Sequence, residues 1–121
     1  MIVDGQVVGA VADGIGGAVL SEMIYDASGQ PLTGSLADYL LATAPDIPAI
    51  RVVHADAPSS TNPLGVRAVG EGGIIPVAAA LTNAVARAID PVCTGHEVVL
   101  FSLPLKSDRI VAACQRAGLL L

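Results

Sequence analysis

Basic residues are scarce in this chain: six Lys and Arg stand against eleven Asp and Glu, a net charge of −5 over 121 residues. Nucleic-acid binding needs clustered cations to neutralise phosphates, and six scattered ones form no basic stripe, so a nucleic-acid partner is excluded. Long apolar runs are missing as well. The run from Ile15 to Leu20 stops at Ser21 and Glu22, far short of the roughly 20 residues a bilayer span requires, so no membrane span is expected. The opening Met-Ile-Val-Asp lacks the basic flank of a secretory signal. The two cysteines, Cys93 and Cys114, are far apart in sequence and read as reduced thiols in the cytoplasm.

Several chemistries lack their motifs. No Gly-x-Ser-x-Gly elbow or Ser-His-Asp order is present, which leaves serine hydrolysis without a basis. His54 and His96 are spaced from Cys93 and Cys114 in no zinc-binding pattern. Gly14-Ile15-Gly16-Gly17 has no strand before it, and Val19 stands where the third glycine of a dinucleotide fingerprint belongs.

Charge of either sign is also low, at 14% against about 25% in ordinary soluble domains. With 53% hydrophobic residues and a mean hydropathy of +0.68, the chain has few charges with which to cover its exterior. Two readings follow: part of the surface is buried against other protein, or 20 alanines raise hydrophobicity in a compact monomer. A chain of this length forms one domain, residues 1–121, with a core that needs no cross-links.

Val7, Val11, Ile15 and Val19 recur every four residues and predict a helix over residues 6–20. Gly9, Gly14, Gly16 and Gly17 lie inside it, and at about 1 kcal/mol each they remove roughly 4 kcal/mol of helix propensity relative to Ala. Close approach of another backbone or of a ligand explains glycines on one helix. Met23 and Tyr25, followed by the turn-forming Asp26-Ala27-Ser28-Gly29-Gln30 and then Pro31 to Thr33, predict a hairpin. Residues 36–41 suit helix or strand, residues 50–54 read as a strand, and residues 57–65 as a loop.

Pro76 and the helix formers after it predict a second helix over residues 77–89, stopped by Asp90-Pro91. Residues 97–103 read as a buried strand. Ser107 is the expected N-cap, with Asp108 in the first turn, of a last helix running to about Arg116 and stopped by Gly118. The order α, β, β, β, α, β, α lacks βαβ alternation and predicts an α+β fold, a small two-layer domain of helices on a mixed or antiparallel sheet.

Val69-Gly70-Glu71-Gly72-Gly73-Ile74-Ile75-Pro76 carries the clearest chemical suggestion. Three glycines leave the Glu71 carboxylate open to approach, and a helix starting near Pro76 points its positive end at the loop. That suits a general base; the alternative is a Glu71 that caps the helix. Asp13, four residues from Gly9 and Gly17, faces solvent or reaches a polar ligand.

The string Met1-Ile2-Val3-Asp4-Gly5-Gln6-Val7-Val8-Gly9, then Gly14-Ile15-Gly16, Tyr25-Asp26 with Gly29, and Leu32-Thr33-Gly34-Ser35-Leu36-Ala37-Asp38-Tyr39 carry a resemblance, continued by Pro58-Ser59, Thr61-Asn62-Pro63-Leu64-Gly65, Gly70-Glu71-Gly72-Gly73 and Leu103-Pro104-Leu105. In this order they resemble the C-terminal part of the molybdenum-binding large subunit of the xanthine dehydrogenase, aldehyde oxidase and carbon monoxide dehydrogenase family. The resemblance implies an oxidoreductase that hydroxylates a C–H carbon with water-derived oxygen, with Glu71 as the catalytic base.

It also implies a molybdenum–molybdopterin cofactor, in its cytosine dinucleotide form, with Asp13, Gly14, Val69 and Gly70 at the cofactor and no direct protein ligand to the metal. Electrons would leave through 2Fe-2S and FAD groups on partner subunits. The partners implied are the rest of the large subunit, an FAD subunit, a 2Fe-2S subunit and a small-molecule substrate, without which the isolated chain is inactive. Asp13 stands where family members commonly carry Gln, and Arg67 and Ala68 stand where Lys and Gly are frequent. A carboxylate accepts hydrogen bonds but, when ionised, cannot donate one as an amide does. The alternative function is a non-catalytic assembly module derived from the same family.

Overall fold

The computed structural model describes residues 1–89, 100 and 102–118. The first helix, α1, spans Ile2–Val19 and starts four residues before the expected position. Asp4 explains the early start. It lies in the first turn, where a carboxylate complements the helix dipole, and its oxygens lie 2.6 Å from the Met1 amino nitrogen and 2.8 Å from His54 Nε2. Those partners, the amino group first, hold the Asp4 carboxyl down at about 2.

By length and composition α1 is apolar enough to cross a membrane. The count of consecutive apolar residues hid this, because glycines and two aspartates break the run without ending the helix. Along one side it packs against the second helix, α2, Val77–Ile89. Ala18 and Val77 are buried, and α2 starts at the residue expected from sequence.

The expected hairpin reduces to one antiparallel bridge, Tyr25 to Pro31. The Asp26 carboxylate accepts hydrogen bonds from the Ser28 N–H and O–H and from the Gln30 N–H at 2.7–3.0 Å, and Gly29 takes φ +85°. Pro31 has no N–H to carry the ladder further. Residues 36–41 form neither helix nor strand; their first half makes a turn in which the Asp38 and Tyr39 N–H groups donate to the Ser35 carbonyl. Residues 50–54 pair in no ladder among the described residues, and residues 57–65 are a loop, as their composition implies. The strand expected over 97–103 falls largely outside the described residues. No sheet is formed among the described residues, only the three helices, one 3-10 turn and a single bridge.

The last helix, α3, spans Ser107–Arg116. Ser107 is its first helical residue, not the expected N-cap. That position belongs to Lys106, whose backbone is extended and which makes no side-chain cap. Lys106 is committed elsewhere, to Glu22. Asp108 lies in the first turn as expected, and Gly118 at φ +86° ends the helix.

The core is small. Ala113, Cys114 and Ala117 are buried with Ile89, Leu100 and Ile110 packed against them, and Leu105 is buried nearby in sequence. Cys114 is a free thiol; Cys93 and His96 lie outside the described residues. Large apolar side chains stand in solvent among the described residues, including Ile2, Leu36, Val53, Leu64 and Ile75, each more than two-thirds exposed. This is the surface that the charge deficit foretold, and it favours burial against other protein over a self-contained alanine-rich monomer.

Candidate functional site

The segment from Val69 to Ala78 runs alongside α1 in the same direction, and glycines set the spacing. The Gln6 amide donates to the Gly70 carbonyl at 2.8 Å. A Cβ on Gly73 would stand 2.7 Å from the Val7 carbonyl oxygen and 2.8 Å from the Ala10 Cβ. One and a half turns further on, a Cβ on Gly14 would stand 2.8 Å from the Val77 Cβ. No side chain fits at either position without a shift. These contacts, not a weak helix, account for Gly14 in α1 and for Gly73 in the loop.

Glu71 sits on the loop between these contacts. Its carbonyl accepts from the Ile74 N–H at 3.1 Å and the Ile75 N–H at 3.3 Å, and the Gly72 N–H donates to the Val69 carbonyl at 3.2 Å. The backbone is thus tied within the loop and to α1, while the side chain is exposed and has no hydrogen-bond partner among the described residues. The capping alternative finds no support: the first turn of α2 holds no acidic residue, and Glu71 precedes Val77 by six positions. The dipole contribution anticipated from α2 is weak at that distance, since it fades within the first turn.

Two concavities flank the loop. A cavity of about 290 Å³ is lined by Asp13, Gly14, Gly17, Tyr39, Ile74 and Leu103, among others. On the other side lies an open groove of about 670 Å³ that includes Val3, His54, Arg67 and Val69. The site residues expected from sequence are therefore divided. Asp13 and Gly14 share the cavity, Val69 borders the groove, and Gly70 and Glu71 occupy the strip between. Gly14 is reachable only along its backbone, since Val77 occupies the space over its Cα.

Sequence reasoning had Gly17 among the glycines that let a ligand approach this helix, but it missed Tyr39 and Leu103 as cavity residues. Gly17 lies four positions after Asp13, so helical spacing places it on the same face, and a Cβ there would meet nothing within 4 Å. Tyr39 and Leu103 arrive from distant segments and leave no periodic signal. Among the described residues no group of three or more His, Cys, Asp or Glu side chains is placed to hold a metal ion.

Residues 1–48 match the family model described as a molybdopterin cofactor-binding domain. The chain is 42% identical over 113 residues to the 6-hydroxypseudooxynicotine dehydrogenase complex subunit gamma of Paenarthrobacter nicotinovorans, a match covering 92% of this chain and 14% of that protein. It is 38% identical over 121 residues to the putative xanthine dehydrogenase molybdenum-binding subunit of Escherichia coli K12, covering 99% of this chain and 15% of that one. Among solved structures it superposes on quinoline 2-oxidoreductase from Pseudomonas putida 86 with a TM-score of 0.85 and 40% identity, over 95% of this chain and 14% of that chain.

The chain belongs to the family of molybdenum-binding subunits typified by those of xanthine dehydrogenase and carbon monoxide dehydrogenase. It spans about one-seventh of the length of the relatives it matches, and the enzymes of this family are molybdopterin oxidoreductases.

Proposed function

We propose that the chain is the C-terminal segment of a molybdenum hydroxylase large subunit, and that it supplies the catalytic base, Glu71, and part of the wall around the cofactor. The observation that carries this reading is the fixed loop with a free carboxylate. Gln6 and the Gly73 contact clamp the backbone on either side of Glu71, yet its side chain stands exposed and unpartnered among the described residues. A base needs that combination of fixed backbone and accessible oxygens.

Open glycine backbone on either side of the loop leaves room for a bulky cofactor. The Cα atoms of Gly17, beside Asp13, and of Gly70 are bare and open, with nothing within 4 Å of an added Cβ. Asp13 would accept hydrogen bonds from the cofactor's N–H groups, and Val69 and Gly70 would offer backbone to it. Gly14 acts by letting α2 approach. When bound, the molybdenum–pterin group supplies the redox chemistry of hydroxylation, and the role of Glu71 is to hold and release a proton at its carboxylate oxygens.

The cytosine dinucleotide form of the cofactor, 2Fe-2S and FAD subunits as electron acceptors and a cytoplasmic location complete the reading. The α+β architecture is completed, in this proposal, when extended segments such as residues 50–54 pair with strands from the rest of the large subunit. Native mass spectrometry with molybdenum analysis on material from the natural source tests it. A complex with a larger polypeptide that contains molybdenum is expected. A metal-free monomer or homo-oligomer would favour the non-catalytic assembly module, the reading that the exposed apolar side chains also suit.

A further inference from the structure

Glu22, three residues beyond the end of α1, holds two cations of the C-terminal segment: Lys106 Nζ donates to its Oε2 at 2.5 Å, and Arg109 Nη2 donates to its Oε1. Arg109 does more than balance charge. Its Nη1 donates to the carbonyls of Leu103 at 2.5 Å and Pro104 at 3.2 Å. One residue on, the Leu105 N–H donates to the Ala18 carbonyl at 2.7 Å. The Leu103-Pro104-Leu105 corner is thereby fastened both to α3 and to the end of α1. Pro104 and Leu105 are buried, but Leu103 is 42% exposed, so packing alone does not fix it. Its side chain forms a wall of the cavity that Asp13, Gly17 and Tyr39 also line.

We propose that Arg109 is a positioning residue: it sets where Leu103 stands and so fixes the width of the cavity beside Asp13. The chemistry requires Arg in particular. A planar guanidinium has N–H groups diverging in fixed directions, enough to reach a carboxylate and two carbonyls at once, whereas Lys is a single point charge on a flexible stem. The ligand consequence rests on the reading of this cavity as part of the cofactor wall.

The test uses the assembled holoenzyme and two readouts, the rate of pterin release followed by its fluorescence and the thermal midpoint. Arg109→Met and Leu103→Ala are expected to speed release about 10-fold or more, the size of effect typical of partners that orient a contacting group. Arg109→Lys keeps the charge toward Glu22 and loses the fork, so it should also release cofactor faster, and it keeps the test open if Arg109→Met does not fold. Lys106→Met is the structural control: it removes the other contact of Glu22, and it should lower the midpoint while leaving release unchanged. If both Arg109 variants behave like Lys106→Met while Leu103→Ala releases cofactor faster, the positioning role is overturned. If Leu103→Ala also has no effect, the cavity does not hold the cofactor and the inference falls, independently of Glu71, whose role is read from turnover.

Discussion

Gly73 lies against Val7 so closely that a Cβ at residue 73 would stand 2.7 Å from the Val7 carbonyl oxygen. That contact presses the Glu71 loop onto the backbone of α1. Gly73→Ala must push the loop away, because the neighbouring atoms are backbone and an alanine Cβ with no rotamer to change. Overpacking of this kind costs about 1–3 kcal/mol, and a displacement of the loop by about 1 Å costs on the order of 100-fold in turnover. Gly34→Ala, away from the site, meets nothing within 4 Å and should leave the thermal midpoint unchanged. Melting curves and steady-state rates of the two assembled variants check this pair.

Gly14 and Val77 give a second, reversible version of the same test. Gly14→Ala drives its methyl into Val77, 2.8 Å away, and should destabilise the α1–α2 contact. Val77→Ala removes the obstacle and should recover much of the loss. A double-mutant cycle on thermal or denaturant unfolding is expected to show a coupling of about 0.5–3 kcal/mol, the range for residues in direct contact. Simple additivity would show that the close approach does not constrain the pair.

Part of the acid sensitivity should trace to Glu22, in addition to the exposed carboxylates Asp4, Asp26 and Asp46 that are also held below their ordinary values. The Lys106 hydrogen bond, chiefly, together with the nearby charge of Arg109, holds its carboxyl below the ordinary value of 4.5, against the opposing effect of burial. A depressed folded-state pKa means that the group stabilises the fold above its unfolded value and that this contribution is lost as pH falls from 4.5 through the lower folded value. Glu22→Gln should therefore lower the thermal midpoint at neutral pH and flatten its decline below about pH 5. Parallel acid limbs for the two proteins would refute this.

Local signals account for most of what was legible in the sequence. Pro76 with a run of good helix formers placed the start of α2 to the residue, and Asp26, Ser28 and Gly29 specified their turn through side-chain hydrogen bonds a few positions apart. The beginning of α1 was obscured because Asp4 and Gly5 look like residues that precede a helix, while His54, fifty positions away, helps secure Asp4. At α3, Ser107 has the chemistry of a cap, yet the corner held by Arg109 sets how the chain enters the helix. Residues 50–54 have β-branched composition without a partner strand among the described residues, and a strand is defined by its partner.

The candidate site divided along the same line. The Gly-rich loop around Glu71 was visible because its chemistry is contiguous. The cavity wall was not, since Glu22 and Arg109 are joined across 87 positions and Tyr39 and Leu103 reach the cavity from unrelated turns. Composition did carry one long-range message. A chain with 14% charge leaves Ile2, Leu36, Leu64 and Ile75 in water, as a segment built to be covered would.

The most direct test of the account is the single-turnover rate of Glu71→Gln in the assembled enzyme, with molybdenum and pterin content measured on the same sample. A positioned general base contributes about 10²–10⁴-fold, so a fall of that size with cofactor content unchanged is the predicted result. A near-normal rate at full cofactor content would contradict Glu71 as the base.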